Sequence, residues 1–100
     1  MDIDTMEAGR ELDVLILKNV FGNEYKHIHN TDYYREGNDY VLIPFYSTDI
    51  AAAWKVVEKF IEDNDHRFFD ELMEYPPLYG MCYELAALTI CRAALKALEI

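Results

Sequence analysis

Glycine, proline and cysteine are scarce in this sequence: four, three and two residues in one hundred. The glycines stand apart from one another, so no Gly-rich loop of the P-loop or GxGxxG kind is present to cradle a phosphate. GxSxG and HExxH patterns are missing too, and neither cysteine sits in a nucleophile motif. Cys82 and Cys91 form no CxxC pair and no zinc-type spacing. No turn signal separates them, which speaks against a disulfide and for a reducing compartment. Basic residues are few: nine Lys and Arg against nineteen Asp and Glu, a net charge of −10. That balance argues against a nucleic acid polymer or an anionic membrane surface as partner. It leaves room for a small anion held by one or two arginines. No apolar window approaches the ~18 residues of a membrane span. The opening Met1–Asp4 is acidic and lacks the basic start of a signal peptide. The expectation is a soluble protein of the cytoplasm, with no cofactor.

What is present is enough for one folded domain over residues 1–100. Hydrophobic residues make up 52% of the chain, which excludes disorder as the default. Tyrosine dominates the aromatics, eight against five Phe and one Trp, and suits half-exposed sheets, interfaces and ligand pockets. A helix is expected from about Asp4 to Phe21, capped by Asp4 or Thr5, with Glu7 in its first turn. Its apolar residues are Ala8, Leu12, Leu15, Ile16 and Val20, and Gly22-Asn23 stops it. Residues 24–46 form the β region: Tyr25 to Asn30 alternates, Thr31 to Asp39 is polar with a Gly37-Asn38-Asp39 turn, and Tyr40 to Phe45 is an apolar strand limited by Pro44. A second helix starts at Ser47 or Thr48, with Asp49 in its first turn and an Ile50, Trp54, Val57, Ile61 stripe that has Ala53 and Phe60 beside it. Asp63-Asn64-Asp65 ends it. Phe68 to Tyr75 reads equally as strand or short helix before Pro76-Pro77. The last helix runs from about Tyr83 to Leu98 on a Leu88, Cys91, Leu95, Leu98 seam. The sum is an α+β fold, three helices packed on a small antiparallel sheet.

His27 and His29 share a face if both lie on a strand, but no third ligand is evident, so no metal is expected. The acid pairs Glu7 with Glu11, Asp63 with Asp65, and Glu71 with Glu74 read as solvated faces. Tyr46-Ser47-Thr48-Asp49 lies where a strand meets a helix N-terminus, a place with free N–H groups and two hydroxyls for an anionic or hydroxyl-rich ligand. Ordinary capping accounts for the same residues. Arg10 and Arg92 lie within helical segments of small or apolar neighbours, and either could clamp a phosphate or form an internal salt bridge.

Three segments carry a family likeness. Glu7–Asp13 reads EAGRELD and is followed by Val20-Phe21-Gly22; Tyr46–Lys59 reads YSTDIAAAWKVVEK; Ile90–Leu98 reads ICRAALKAL. Together they resemble the phage ABA-sandwich domain family. The resemblance implies a sheet with helices on its faces and a small phage protein acting in the host cytoplasm. By analogy with phage anti-defence sponges, it suggests a non-enzymatic protein that binds a cyclic nucleotide or cyclic ADP-ribose-type signal. Tyr46, Ser47, Thr48, Asp49 and Trp54 are then the ligand contacts, with Arg10 and Arg92 on phosphate and a homo-oligomer burying the ligand. The alternative is an acidic interaction protein that binds and inhibits a host protein.

Overall fold

The computed structural model describes residues 3–99. The Asp4 side chain, and with it the expected Asp4 cap, lies outside the described residues. A short 3-10 turn, Ile3–Thr5, leads through a loop to helix α1, Arg10–Asn19. The sheet follows as β1 (Tyr25–Ile28), β2 (Thr31–Glu36) and β3 (Asp39–Leu42), an antiparallel meander. Helices α2 (Ile50–Glu62), α3 (Arg67–Leu72) and α4 (Tyr83–Ala97) complete the chain. The α+β reading holds, with α3 as an added fourth helix.

Helix α1 is shorter than the sequence suggests. It begins at Arg10, so Glu7 and Ala8 belong to the loop before it and are exposed. The reason is tertiary: the Gly9 N–H donates to Ser47 Oγ at 2.9 Å, which pins the loop to another part of the chain. The stop signal was legible: Gly22 takes a left-handed φ of 67°, and the Asn23 N–H returns to the Leu17 carbonyl at 3.2 Å.

In the sheet, His29 and Asn30 have φ of 50° and 63°. Positive φ at both central residues is the type I′ hairpin signature, and it leaves Ile28 opposite Thr31. His29 is therefore a turn residue and shares no strand face with His27. The polar run from Thr31 becomes the central strand β2, because Gly37-Asn38 supplies the second two-residue turn and Glu36 pairs with Asp39. Regular pairing ends at Leu42, two residues before Pro44, although the Ile43 N–H still reaches the Asp32 carbonyl at 3.3 Å.

Helix α4 is the packing centre. Ala86, Ala87, Ala93, Ala94 and Ala97 are all buried with Ile90, Cys91 and Leu95, while Leu88 and Leu98 are only half-buried. The expected leucine seam is thus replaced by burial over most of the circumference. Alanine makes that possible: its small side chain lets α1, α2 and α3 each approach α4. The same contact chooses the face of α2. Ala52, Ala53, Val56, Val57 and Phe60 are buried, and Trp54 and Ile61 of the expected stripe are 51% and 59% exposed. Both arcs have helical spacing, but a face with two alanines fits closer to α4.

Helix α2 ends in a Schellman motif. The Asp65 N–H reaches the Phe60 carbonyl at 3.0 Å, the Asn64 N–H reaches Ile61 at 3.1 Å, and Asn64 has φ of 52°. Asp65 then starts α3: its carboxylate accepts from the Arg67 N–H at 3.1 Å and from Arg67 Nε at 3.0 Å. The Arg67 hydrogen bonds hold the Asp65 carboxyl below its ordinary pKa.

Both cysteines are free, Cys82 exposed and Cys91 buried. Burial, and next to it the Asp13 carboxylate, pushes the Cys91 thiol far above its usual range. The thiolate is the reactive form. With an excess of a disulfide reagent at neutral pH, Cys82 is expected to react at once and Cys91 only as the chain unfolds. Two rapid equivalents in the absorbance trace would contradict this placement of α4.

Candidate functional site

The segment Glu7–Asp13, which carries the candidate Arg10, and the expected site Tyr46–Asp49 meet in space. Asp13 on α1 is 1% exposed. Its Oδ1 accepts from the Ser47 N–H at 2.9 Å and from the Ser47 hydroxyl at 2.7 Å. Its Oδ2 faces Arg10 Nη1 at 3.4 Å. The Ser47 hydroxyl has one proton, which the shorter bond to Asp13 takes; the oxygen meanwhile accepts from the Gly9 N–H. Ser47 is fully buried and serves as an interior strut. Tyr46 is buried beside it, its ring stacked on Phe21 at 5.3 Å. Burial pushes its hydroxyl pKa far up, so it stays protonated.

Asp49, not Ser47 or Thr48, caps α2, accepting from the Ala51 N–H at 3.0 Å. The N–H groups of Thr48 and Asp49 both donate to the Phe45 carbonyl, at 3.2 and 2.8 Å. The N-terminal donors expected to meet a ligand here are therefore largely engaged within the chain. Thr48 and Asp49 are exposed. Trp54 lies on the outer side of α2. Arg92 donates from Nε and Nη2 to the Met6 carbonyl, at 3.2 and 2.8 Å, and so ties the N-terminal loop to α4.

Arg10 is differently placed. Its Nη1 donates to the Ile43 carbonyl at 2.6 Å, which fixes the guanidinium. Its plane lies over the Phe45 ring, 4.0 Å from the centroid. The hydrogen bonds it makes among the described residues all leave from Nη1. The side chain is still part-exposed and borders two clefts. One, about 300 Å³, lies between α1 and the inner face of the sheet and is lined by Arg10, Glu11, Val14, Leu15, Tyr25 and Asp32. The other, about 530 Å³, is formed by the loop Thr5–Glu11 itself.

Opposite Arg10, the strands set out a polar cluster. His27 and Asp32 are cross-strand partners, and His27 Nδ1 lies 2.7 Å from Asp32 Oδ1. Tyr25 is two residues away on the same face; loss of solvent and the Asp32 carboxylate raise its hydroxyl pKa. The cleft thus offers a fixed guanidinium, two carboxylates and a phenol around apolar Val14 and Leu15, with the His27 imidazole bonded to Asp32 outside its lining. A larger groove of about 490 Å³ beside Pro76-Pro77 is lined by Phe69, Leu72, Met73, Tyr75 and Leu78, with no charged side chain. It suits an apolar group rather than an anion. Among the described residues, no cluster of three His, Cys, Asp or Glu is arranged to hold a metal. No described helix is long and apolar enough to cross a membrane.

Sequence reasoning missed Asp13, Phe45, Tyr25 and Asp32. Only Asp13 left a signal: an acid three residues after Arg10, in a position of a helix otherwise facing the core.

The phage ABA sandwich domain family matches residues 14–95. The chain belongs to this family. No curated protein and no solved structure matches it. The three-stranded sheet and four helices are consistent with the sandwich description. The family span takes in Tyr46–Lys59 and begins just after Asp13. Within this ABA sandwich protein, Arg10 and Asp13 therefore come from the segment that precedes the matched span, and their partners Ile43 and Ser47 come from inside it.

Proposed function

We propose that this phage-family protein binds a small anionic, hydroxyl-bearing ligand of nucleotide type in the cleft between α1 and the sheet, and sequesters it without chemistry. The observation that carries the reading is Arg10. It is clamped by the Ile43 carbonyl and stacked on Phe45, with its remaining edge at the cleft. A guanidinium already fixed in this way loses little freedom when it takes a phosphate. Glu11 and Asp32 are acceptors for ribose hydroxyls, and Tyr25 offers a ring to a base. The sequence contains no nucleophile motif, and the cleft holds no Ser or Cys for His27 to activate. A host defence signal such as a cyclic nucleotide or cyclic ADP-ribose has the required phosphate, hydroxyls and base.

The alternative, an inhibitor that docks through an acidic face, has less support. Exposed acids lie on α1, α2, α3, α4 and the β2–β3 hairpin rather than along one side.

Titration calorimetry against a panel of cyclic nucleotides and cyclic ADP-ribose isomers tests the proposal. One member is expected to bind and to be recovered unchanged after denaturation. Asp32→Asn, which keeps the size of the side chain, is expected to weaken it about tenfold, the scale of one lost charge-assisted hydrogen bond. Silence across the panel, or turnover of the bound member, would sink the reading.

A further inference from the structure

The pairing register sorts the strand residues onto two faces. The inner face, toward α1, carries Tyr25, His27, Asp32, Tyr34, Glu36, Asp39 and Val41. The outer face carries Lys26, Ile28, Tyr33, Arg35, Tyr40 and Leu42, with Thr31 at its end. All three strand acids are inside and none is outside, in a chain of net charge −10. The outer face is basic and apolar, and no described element covers it: Ile28, Tyr40 and Leu42 are 37%, 49% and 53% exposed. Lys26 Nζ sits 5.8 Å from the Tyr40 ring on that surface. A sheet of three strands with one face bare to water is short of the burial that stabilises such small sheets.

The complement of this face is on the same molecule. The outer side of α2 presents Trp54, Glu58 and Ile61 at i, i+4 and i+7, with Glu62 beside them, all exposed. The chain's single Trp is more than half exposed there. Thirteen residues of α2 make a rod of about 20 Å. Six residues of β2 span about 20 Å as well.

We infer that the outer sheet face is the docking surface for α2 of a second copy of this chain. Trp54 and Ile61 of one copy lie against Tyr40, Leu42 and Ile28 of the other, and Glu58 and Glu62 meet Lys26 and Arg35. Apolar anchors at the centre with opposite charges at the rim are the pattern of a specific protein interface. The contact joins unlike surfaces, so it closes as a dimer when made reciprocally, and otherwise as a ring if its rotation closes or an open filament if it does not.

Sedimentation equilibrium of the full chain over a wide concentration range reads the association, and Trp54 fluorescence reports the α2 side. An oligomer that dissociates on dilution, with Trp54 emission moving to the red, is expected. Leu42→Glu on the sheet and Ile61→Lys on α2, both exposed changes that leave the core intact, should each weaken association about tenfold or more. Arg35→Glu should weaken it, and adding Glu58→Arg should restore part of the loss. A monomer at every concentration overturns the inference. So does an oligomer sensitive to only one of Leu42→Glu and Ile61→Lys, because a different surface then faces the sheet or the helix.

Discussion

Asp13→Ala is expected to destabilise the protein by about 3 kcal/mol, because two buried donors lose their acceptor at once. The backbone N–H and the hydroxyl of Ser47 both end on Asp13 Oδ1, and Ser47 is fully buried, so water does not replace the carboxylate. The Arg10 contact contributes less. It is long, at 3.4 Å, and the Arg10 side chain is 31% exposed, so solvent screens it. In a domain of this size the loss corresponds to a fall in melting temperature of about 12–24 °C. Asp13→Asn separates the hydrogen bonds from the charge. Its amide oxygen still accepts from Ser47, so the expected cost is about 1 kcal/mol. Urea denaturation of the three proteins measures both values as midpoint shifts at constant slope. An alanine variant as stable as the parent would show that Asp13 and Ser47 are not the joint between α1 and the start of α2. Because Ser47 also accepts from the Gly9 N–H, the alanine variant should loosen the Glu7–Arg10 loop as well. That loop forms the second cleft that Arg10 borders, and the α1–sheet cleft assigned to the ligand shares only Arg10 and Glu11 with it.

Phe68→Ala should cost about 3–5 kcal/mol, the range for removing a fully buried phenylalanine from a packed core. Phe68 is completely buried, stacked on Phe60 of α2 at 4.6 Å and set edge-on to Phe69 at 5.0 Å. It is the only fully buried residue of α3. Six residues are too few to hold a helix by local hydrogen bonds. The helix therefore depends on this ring and on the Asp65–Arg67 start. In the alanine variant, amide exchange in α3 is expected to approach that of an open segment, while α4 slows exchange as before. Equal acceleration in α3 and α4 would mean that α3 is not a separable unit. Phe68→Leu keeps most of the volume and should recover more than half of the loss.

The site was partly legible. Arg10 and Ser47 were both singled out, but on the expectation that each faces a ligand. Only Arg10 still has an edge at a cleft, and the Ser47 hydroxyl turns inward to Asp13. A serine before a helix is a capping signal in any sequence. That Asp49 takes the cap and releases Ser47 for Asp13 depends on a partner 34 residues away. Tyr25 and Asp32 carried no signal, because their shared face is set by a hairpin register that depends on His29 and Asn30 adopting positive φ. Neither residue is glycine, and the Gly37-Asn38 turn nearby was the stronger mark.

By itself the sequence determined the α+β class, the C-terminal ends of α1 and α2 and the span of α4. These depend on local physics: glycine or asparagine at positive φ, apolar spacing along a helix, and proline at a strand end. It also determined the net charge of −10, since charge is a sum that folding does not change. The tertiary structure alone decided which arc of α2 is buried, what Asp13 holds, and that Arg10 is clamped over Phe45. Each of these is a choice between faces with nearly equal local preference. The choice is made by shape, where alanine-rich α4 admits one face of α2 and not the other, and by the need of buried polar groups to find partners far along the chain.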